Sequence, residues 1–256
     1  MTRLIVKNLS KNFGGLAAVS DVSLTFDDNA LIGLIGPNGA GKTTLFNLLT
    51  GVYVPSSGQV LLEKEDQTIK LNGMRSDQVT HQGLARTFQN IRLFPQQTVI
   101  ENVLVAMDAH KKSRLWDHLL RTSIFYQDEA QLRQEALNLL ERLDLADMAN
   151  EKATNLAYGQ QRRLEIARAL ATNAKILFLD EPAAGMNPQE TDQLSQLILA
   201  IQKDFKMTIV LIEHDMSLVM GICEKIYVLE YGRLIAQGSP EQIRENPRVI
   251  KAYLGG

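Results

Sequence analysis

Gly36-Pro37-Asn38-Gly39-Ala40-Gly41-Lys42-Thr43-Thr44 has the spacing GxxxxGK[ST]. In this pattern glycines let backbone N–H groups turn toward phosphate oxygens, the lysine supplies a point charge, and the Thr43 hydroxyl can ligate Mg²⁺. An apolar run over 30–35 precedes the loop and Leu45-Phe46-Asn47-Leu48-Leu49 follows it. The loop is therefore expected to join a buried strand to a helix starting near Lys42, whose positive dipole end favours the same anion. The chemistry is nucleotide binding, of ATP or GTP. Farther on, Ile176-Leu177-Phe178-Leu179 delivers Asp180 and Glu181 at the end of another buried strand. Asp180 can hold the hydration shell of Mg²⁺, while Glu181 can polarise the water that attacks a γ-phosphate. In Ile212-Glu213-His214-Asp215 an imidazole stands at the end of a further strand, where it can hydrogen-bond the γ-phosphate. Gln89, in Arg86-Thr87-Phe88-Gln89-Asn90, is expected to end a short strand, with its amide in reach of the metal or the attacking water.

The elements that must position these groups follow from hydrophobic periodicity. Strands are expected at 4–6, 22–26, 31–35 and 59–62, the last after the turn Pro55-Ser56-Ser57-Gly58. From Val99 to about Arg142 the pattern is helical, with Leu132, Ala136, Leu139, Leu140 and Leu143 on one stripe. The last third alternates strand 176–179, helix 189–204, strand 208–212, then strands 227–229 and 234–236, the mark of a parallel α/β sheet. Nothing in the chain repeats, and no Pro/Gly linker separates independent domains, so 1–256 reads as a single domain with a helical insertion at about 90–160.

At 256 residues and 45% hydrophobic content the chain can bury a large core. A net charge of -2 gives no electrostatic reason to expect nucleic acid as a partner. The single cysteine, Cys223, cannot form an intramolecular disulfide, and charges interrupt Met1-Thr2-Arg3-Leu4-Ile5-Val6-Lys7, so a reducing cytoplasm fits best. No apolar stretch approaches the roughly 20 residues of a spanning helix, so membrane association is expected to run through another chain. The basic cluster Lys111-Lys112-Ser113-Arg114 beside Leu115-Trp116 reads either as a contact to lipid headgroups or a partner, or as a solvated helix end with Trp116 packed beneath it.

One more segment completes the order: Leu156-Ala157-Tyr158-Gly159-Gln160-Gln161-Arg162, ahead of a helix expected over 163–171. Taken together, these elements resemble the nucleotide-binding subunits of ABC transporters, over essentially all 256 residues. The resemblance implies an α/β P-loop NTPase (RecA-like) fold: a mainly parallel sheet core, an antiparallel β subdomain and an inserted α-helical subdomain. It makes 36–44 the Walker A loop, Gln89 the Q-loop, and Leu156, Ala157, Tyr158, Gly159 and Gln160 the signature. Asp180 and Glu181 become the Walker B pair and His214 the switch. It implies ATP and Mg²⁺, with Thr43, Gln89 and Asp180 around the metal and Glu181, His214 and Gln89 as the catalytic set. Phe13, in Asn12-Phe13-Gly14-Gly15, matches the aromatic that stacks on adenine; on its own it can equally be a packing residue near a turn. The family also implies a head-to-tail pair of cassettes, each ATP held between one Walker A loop and the other subunit's signature. Two departures stand out. The common signature LSGGQ has Ala157 and Tyr158 in its second and third places here, and Asn187 stands where most ABC subunits carry aspartate.

Residues 83–94, the Leu-Ala-Tyr-Gly-Gln signature, 181–188 and the final 249–255 are similar to the ATP-binding proteins of bacterial branched-chain amino acid importers. That resemblance implies integral membrane permease subunits, a second ATP-binding subunit (a related chain or a second copy), indirectly a periplasmic solute-binding protein, and a peripheral place on the cytoplasmic face of the inner membrane. Importers of urea or short amides and the lipopolysaccharide export ATPase share much of the pattern. A soluble ABC ATPase acting on ribosomes or DNA would carry two cassettes or a long coiled-coil insertion, and a GTPase would carry Asn-Lys-x-Asp; this chain has neither feature. A non-catalytic regulatory cassette would be expected to lose Glu181 or His214, and both are present. Ile91, Arg92, Leu93 and Phe94 are candidates for the groove that receives a helix of the membrane subunit, or for plain packing of the helical layer.

Overall fold

The computed structural model describes residues 1–65, 67–107 and 123–254. The basic cluster at 111–114, Trp116 and Gly255 lie outside the described residues. The chain divides into two compact units, one of residues 1–89 and 175–256, the other of residues 90–174.

The first unit carries strands β1 (Thr2–Phe13), β2 (Leu16–Phe26), β3 (Leu31–Ile35), β4 (Ser57–Lys64), β5 (Gln67–Lys70), β6 (Leu84–Arg86), β7 (Ile176–Asp180), β8 (Thr208–Ile212), β9 (Lys225–Glu230) and β10 (Arg233–Gly238). They form an antiparallel sheet in the order β2-β1-β4-β5 and a six-stranded sheet in the order β10-β9-β3-β8-β7-β6. In the latter, β9, β3, β8, β7 and β6 run parallel and β10 closes one edge antiparallel to β9. The expected α/β P-loop fold, with its antiparallel β subdomain, is borne out.

β3, β7 and β8 are buried at every residue, as parallel strands covered on both faces must be, which is why their sequences are unbroken apolar runs. Their register sets the site: Leu34 pairs with Ile212, and Ile212 with Asp180. The three strands therefore end at one level, and the segments beginning at Gly36, Glu181 and Glu213 leave the same edge of the sheet. Gly33 allows a helix to close on this centre, because a Cβ there would lie 2.9 Å from Val219 and 3.3 Å from the Cys223 sulfur. Aromatic rings join the layers: Phe178 of β7 packs edge-on against Phe46 of the helix Lys42–Leu49 at 5.0 Å and against Phe26 of β2 at 6.1 Å. The Tyr227 hydroxyl of β9 donates to the Thr25 carbonyl of β2 at 2.5 Å, tying one sheet to the other.

The second unit holds the helices Val99–Met107, Ser123–Arg142 and Tyr158–Leu170. The stripe Leu132, Ala136, Leu139, Leu140 and Leu143 is buried as its periodicity requires. Asn102, fully buried, accepts from the Phe94 N–H at 2.8 Å and donates to the Phe94 and Thr98 carbonyls, both at 3.0 Å, and so folds the segment ahead of its helix.

Several elements differ from expectation. β1 spans 12 residues instead of three, its alternation broken by register shifts after Val6 against β2 and after Lys7 against β4, and by the left-handed Asn8 (φ 48). β6 stops at Arg86, so Gln89 lies in the following loop and not at a strand end. β5 and the short helices Ser76–His81 and Met216–Ile222 carried too few apolar repeats to stand out.

Phe178→Ala is expected to destabilise the protein by about 3–5 kcal/mol, the usual cost of emptying a buried aromatic site. Urea unfolding monitored by circular dichroism checks this; a loss below 1 kcal/mol would show that the ring does not join the layers.

Candidate functional site

The loop after β3 is shaped for an anion. Gly36 has φ +152 and a Cβ there would fall 2.1 Å from the Leu229 carbonyl oxygen; Gly41 has φ +97 and would meet the Ala18 carbonyl at 2.5 Å. Only glycine fits at these two places. Gly41 is also the N-cap of the helix Lys42–Leu49, and no side chain caps that end. The N–H groups of Lys42, Thr43 and Thr44 thus point out of the helix without an intrahelical acceptor. The Lys42 ammonium donates to the Gly36 carbonyl at 2.7 Å and the Pro37 carbonyl at 3.0 Å, closing the loop on itself. Burial lowers its pKa, opposed by the carboxylates of Glu181 and Asp180. A cavity of ≈ 500 Å³ opens over the loop, lined by residues 38–44, Phe13, Glu181, His214 and Tyr231 among others. Free amides, an ammonium and a hydroxyl around such a space fit a nucleotide's phosphates.

At its far side Phe13, 42% exposed, packs edge-on against Tyr53 at 5.3 Å. The Lys11 ammonium sits 5.0 Å from the Phe13 ring centre and is anchored on the Val54 carbonyl at 2.8 Å. Phe13 thus rims the phosphate cavity with a ring held by Lys11 and Tyr53, two neighbours that sequence reading did not identify.

Asp180 is buried at the end of β7, in an ion pair with Arg86 of β6 (Nη2 to Oδ2 2.5 Å). Arg86 also donates to the Asn47 side chain at 2.5 Å and stacks against Phe46 and Phe88. Arg86 stood in the sequence beside Gln89, but nothing in its spacing pointed across the sheet to Asp180. Among the described residues no cluster of three acidic, histidine or cysteine side chains could hold a metal alone. The Thr43 hydroxyl and the Asp180 carboxylate are oxygen donors of the kind that Mg²⁺ takes, together with phosphates and water.

Glu181 lies between Gln89 and His214. Its Oε2 accepts from the Gln89 amide at 2.7 Å, and its Oε1 stands 3.0 Å from His214 Nε2. Its backbone is left-handed, φ +49, a conformation that costs a non-glycine residue of order 1–3 kcal/mol and that persists only where surroundings over-determine it. Gln89, expected near metal or water, is placed on Glu181. Next to the histidine, Glu213 is buried; its Oε1 accepts from the Ala183 N–H at 2.7 Å and its Oε2 from the His214 N–H at 3.0 Å. Burial pushes its carboxyl above the ordinary range, opposed by those backbone donors. The only sequence signal for Glu213 was an acid directly after an apolar strand.

In the second unit Ala157 is the N-cap of the helix Tyr158–Leu170 and offers no side-chain cap; its own N–H donates to the Gln160 side chain at 3.0 Å. Leu156 is buried, while a Cβ on Gly159 would meet nothing within 4 Å. Tyr158, 46% exposed, accepts from the buried Arg162 at 3.2 Å, and Arg162 pairs with Glu165 at 3.0 Å. Phe94, 41% exposed, lies against the Arg168 guanidinium at 4.8 Å, and Arg168 also donates to the Arg92 carbonyl. Asn187 caps the helix Pro188–Phe205: its side chain accepts from the Glu190 N–H at 3.0 Å, a role asparagine fills as well as aspartate.

Residues 19–184 match the family model described as ABC transporter. The chain belongs to that family. Residues 233–256 match a second model, branched-chain amino acid ATP-binding cassette transporter. The chain is 50% identical over 252 residues, 98% of this chain and 97% of that protein, to the high-affinity branched-chain amino acid transport ATP-binding protein LivG of Escherichia coli strain K12. Among solved structures it resembles the ADP conformation of MJ1267, an ATP-binding cassette of an ABC transporter, with TM-score 0.84 and 29% identity over the whole of both chains. It also resembles a dimeric bacterial ABC transporter cassette, MJ0796, with TM-score 0.76 and 26% identity over 93% of this chain and 98% of that one. The expected resemblance and the expected enzyme class, an ABC-type ATPase, are thereby borne out, and with them ATP binding. Among the described residues no helix is long and apolar enough to cross a membrane.

Arg86→Met is expected to lower stability by about 3–5 kcal/mol, because it strands Asp180 as an unpaired buried charge. Adding Asp180→Asn should recover most of that loss. Denaturant unfolding of the nucleotide-free protein measures both; a mild single variant would mean that Asp180 does not depend on Arg86.

Proposed function

We propose that the chain is the ATP-hydrolysing subunit of a bacterial importer of branched-chain amino acids, peripheral on the cytoplasmic face of the inner membrane. The observation that carries the catalytic part is Glu181, its carboxylate held between the Gln89 amide and the His214 imidazole at the mouth of the phosphate cavity. The loop amides of 38–44 and the Lys42 ammonium bind the phosphates, Lys42 exchanging its two loop carbonyls for phosphate oxygens. Thr43 and Asp180 would hold Mg²⁺, which would neutralise the charge that develops on the phosphates. Glu181 takes a proton from the attacking water, Gln89 fixes the carboxylate's angle, and His214 hydrogen-bonds the γ-phosphate. Phe13 stacks on the adenine.

Leu156, Ala157, Tyr158, Gly159 and Gln160 complete the site of a second ATP-binding subunit, in a head-to-tail pair that ATP closes and hydrolysis opens. Ala157 lacks the usual serine hydroxyl, a hydrogen bond to a charged group worth roughly 1.5–3 kcal/mol; the backbone of the first turn carries that contact. The exposed ring of Phe94 beside Arg92 offers the permease subunits a docking point. The likeness to LivG and the match of residues 233–256 favour branched-chain amino acids as the solute over urea, amides or lipopolysaccharide. A periplasmic solute-binding protein delivers that solute to the permease.

The reading is tested with the complete transporter, solute-binding protein included, in lipid vesicles. ATP is expected to drive uptake of leucine, isoleucine or valine, and Lys42→Ala to abolish both hydrolysis and uptake. Phe94→Asp is expected to spare ATP binding and abolish uptake. ATP-dependent uptake that ignores branched-chain amino acids would refute the solute, and wild-type uptake by Phe94→Asp would refute the docking point.

A further inference from the structure

The loops that follow β7 and β8 bring Glu181 and His214 together, yet the sheet stops holding them just where the chemistry starts. The last backbone bond between them runs from the Glu181 N–H to the Ile212 carbonyl, 2.9 Å. Beyond that point one buried carboxylate spans the two loops. Glu213 Oε1 takes the Ala183 N–H at 2.7 Å and Oε2 takes the His214 N–H at 3.0 Å, while the Asp215 N–H also faces it. At 3% exposure the group is shut off from water.

We propose that Glu213 is a positioning residue that yokes the loop after β7 to the His214 switch, fixing the approach of the imidazole to Glu181. A carboxylate suits this place because it offers two acceptors and no donor. Glutamine would turn its NH₂ toward one of the two amides, and aspartate, one methylene shorter, would reach only one loop. The yoke also supplies part of what the left-handed Glu181 needs, since Ala183 is two residues away and is held at its own N–H. Glu213 is buried outside the lining of the phosphate cavity and acts through His214 and the 181–183 backbone.

The inference rests on the roles given above to Glu181 and His214, and its test separates the two. In the vesicle-embedded transporter, kcat and KM for ATP are measured for wild type, Glu213→Gln, Glu213→Asp, His214→Ala and the double variant Glu213→Gln/His214→Ala. Binding of a fluorescent ATP analogue and the melting temperature are measured on the same samples. Glu213→Gln and Glu213→Asp are expected to lower kcat by about 10–100-fold, the scale set by misplacing a reacting group by about 1 Å. KM and analogue binding should change less than about twofold, as expected when only interactions of the transition state are lost. In the His214→Ala background Glu213→Gln should cost little more, because residues that act as one unit are not additive. If Glu213→Gln does not fold, Glu213→Asp, which keeps the charge, carries the same comparison. An inactive His214→Ala beside Glu213 variants with wild-type kcat would overturn this inference alone, as would fully additive losses. A His214→Ala variant with wild-type kcat would overturn the reading of the site and this inference with it.

Discussion

Parallel pairing of β3, β8 and β7 in one register is the constraint on which everything chemical in this protein depends. Because Leu34, Ile212 and Asp180 lie at one level, the phosphate loop, the acidic pair and the histidine loop must emerge together from the carboxyl edge of the sheet, where α/β proteins place their ligands. A slip of one residue in β7 would turn Asp180 to the opposite face. The cost of such a slip is set by burial, since all three strands are sealed on both faces and every residue in them packs.

From that edge outward, order is maintained by side chains. Arg86 holds Asp180, Gln89 and His214 hold Glu181, and Glu213 holds the two loops that carry Glu181 and His214. These contacts are polar and short in reach, and several are buried, so each is strong in a low-dielectric setting and expensive to leave half made. The phosphate loop works the opposite way. The N–H groups of its helix's first turn have no intrahelical acceptor and its lysine is parked on its own carbonyls, contacts that a phosphate can take over.

The fold could be read from the sequence where hydrophobic runs were long and uniform: β3, β7, β8 and the 188–205 helix came through almost to the residue. It could not be read where polar residues interrupt a strand, as in β1, or where a segment is too short to show a period, as at 76–81 and 216–222. The same division applies to the site. The phosphate loop, Asp180, Glu181 and His214 announce themselves because adjacent residues share one task. Arg86, Lys11, Tyr53 and Glu213 do not, because each acts on a partner that only the folded chain brings near: Arg86 reaches a residue 94 positions away. The placing of Gln89 was misjudged for a related reason. β6 ends three residues earlier, and the loop turns the amide onto Glu181.

The central claim is that Glu181 activates the attacking water in a site completed by a second cassette. Its most direct test is ATP hydrolysis by purified protein, wild type beside Glu181→Gln, with the mass in solution followed in ATP and Mg²⁺. The account predicts that wild type hydrolyses ATP and that the variant does not, accumulating instead as an ATP-bound dimer. Hydrolysis by Glu181→Gln at the wild-type rate would contradict it.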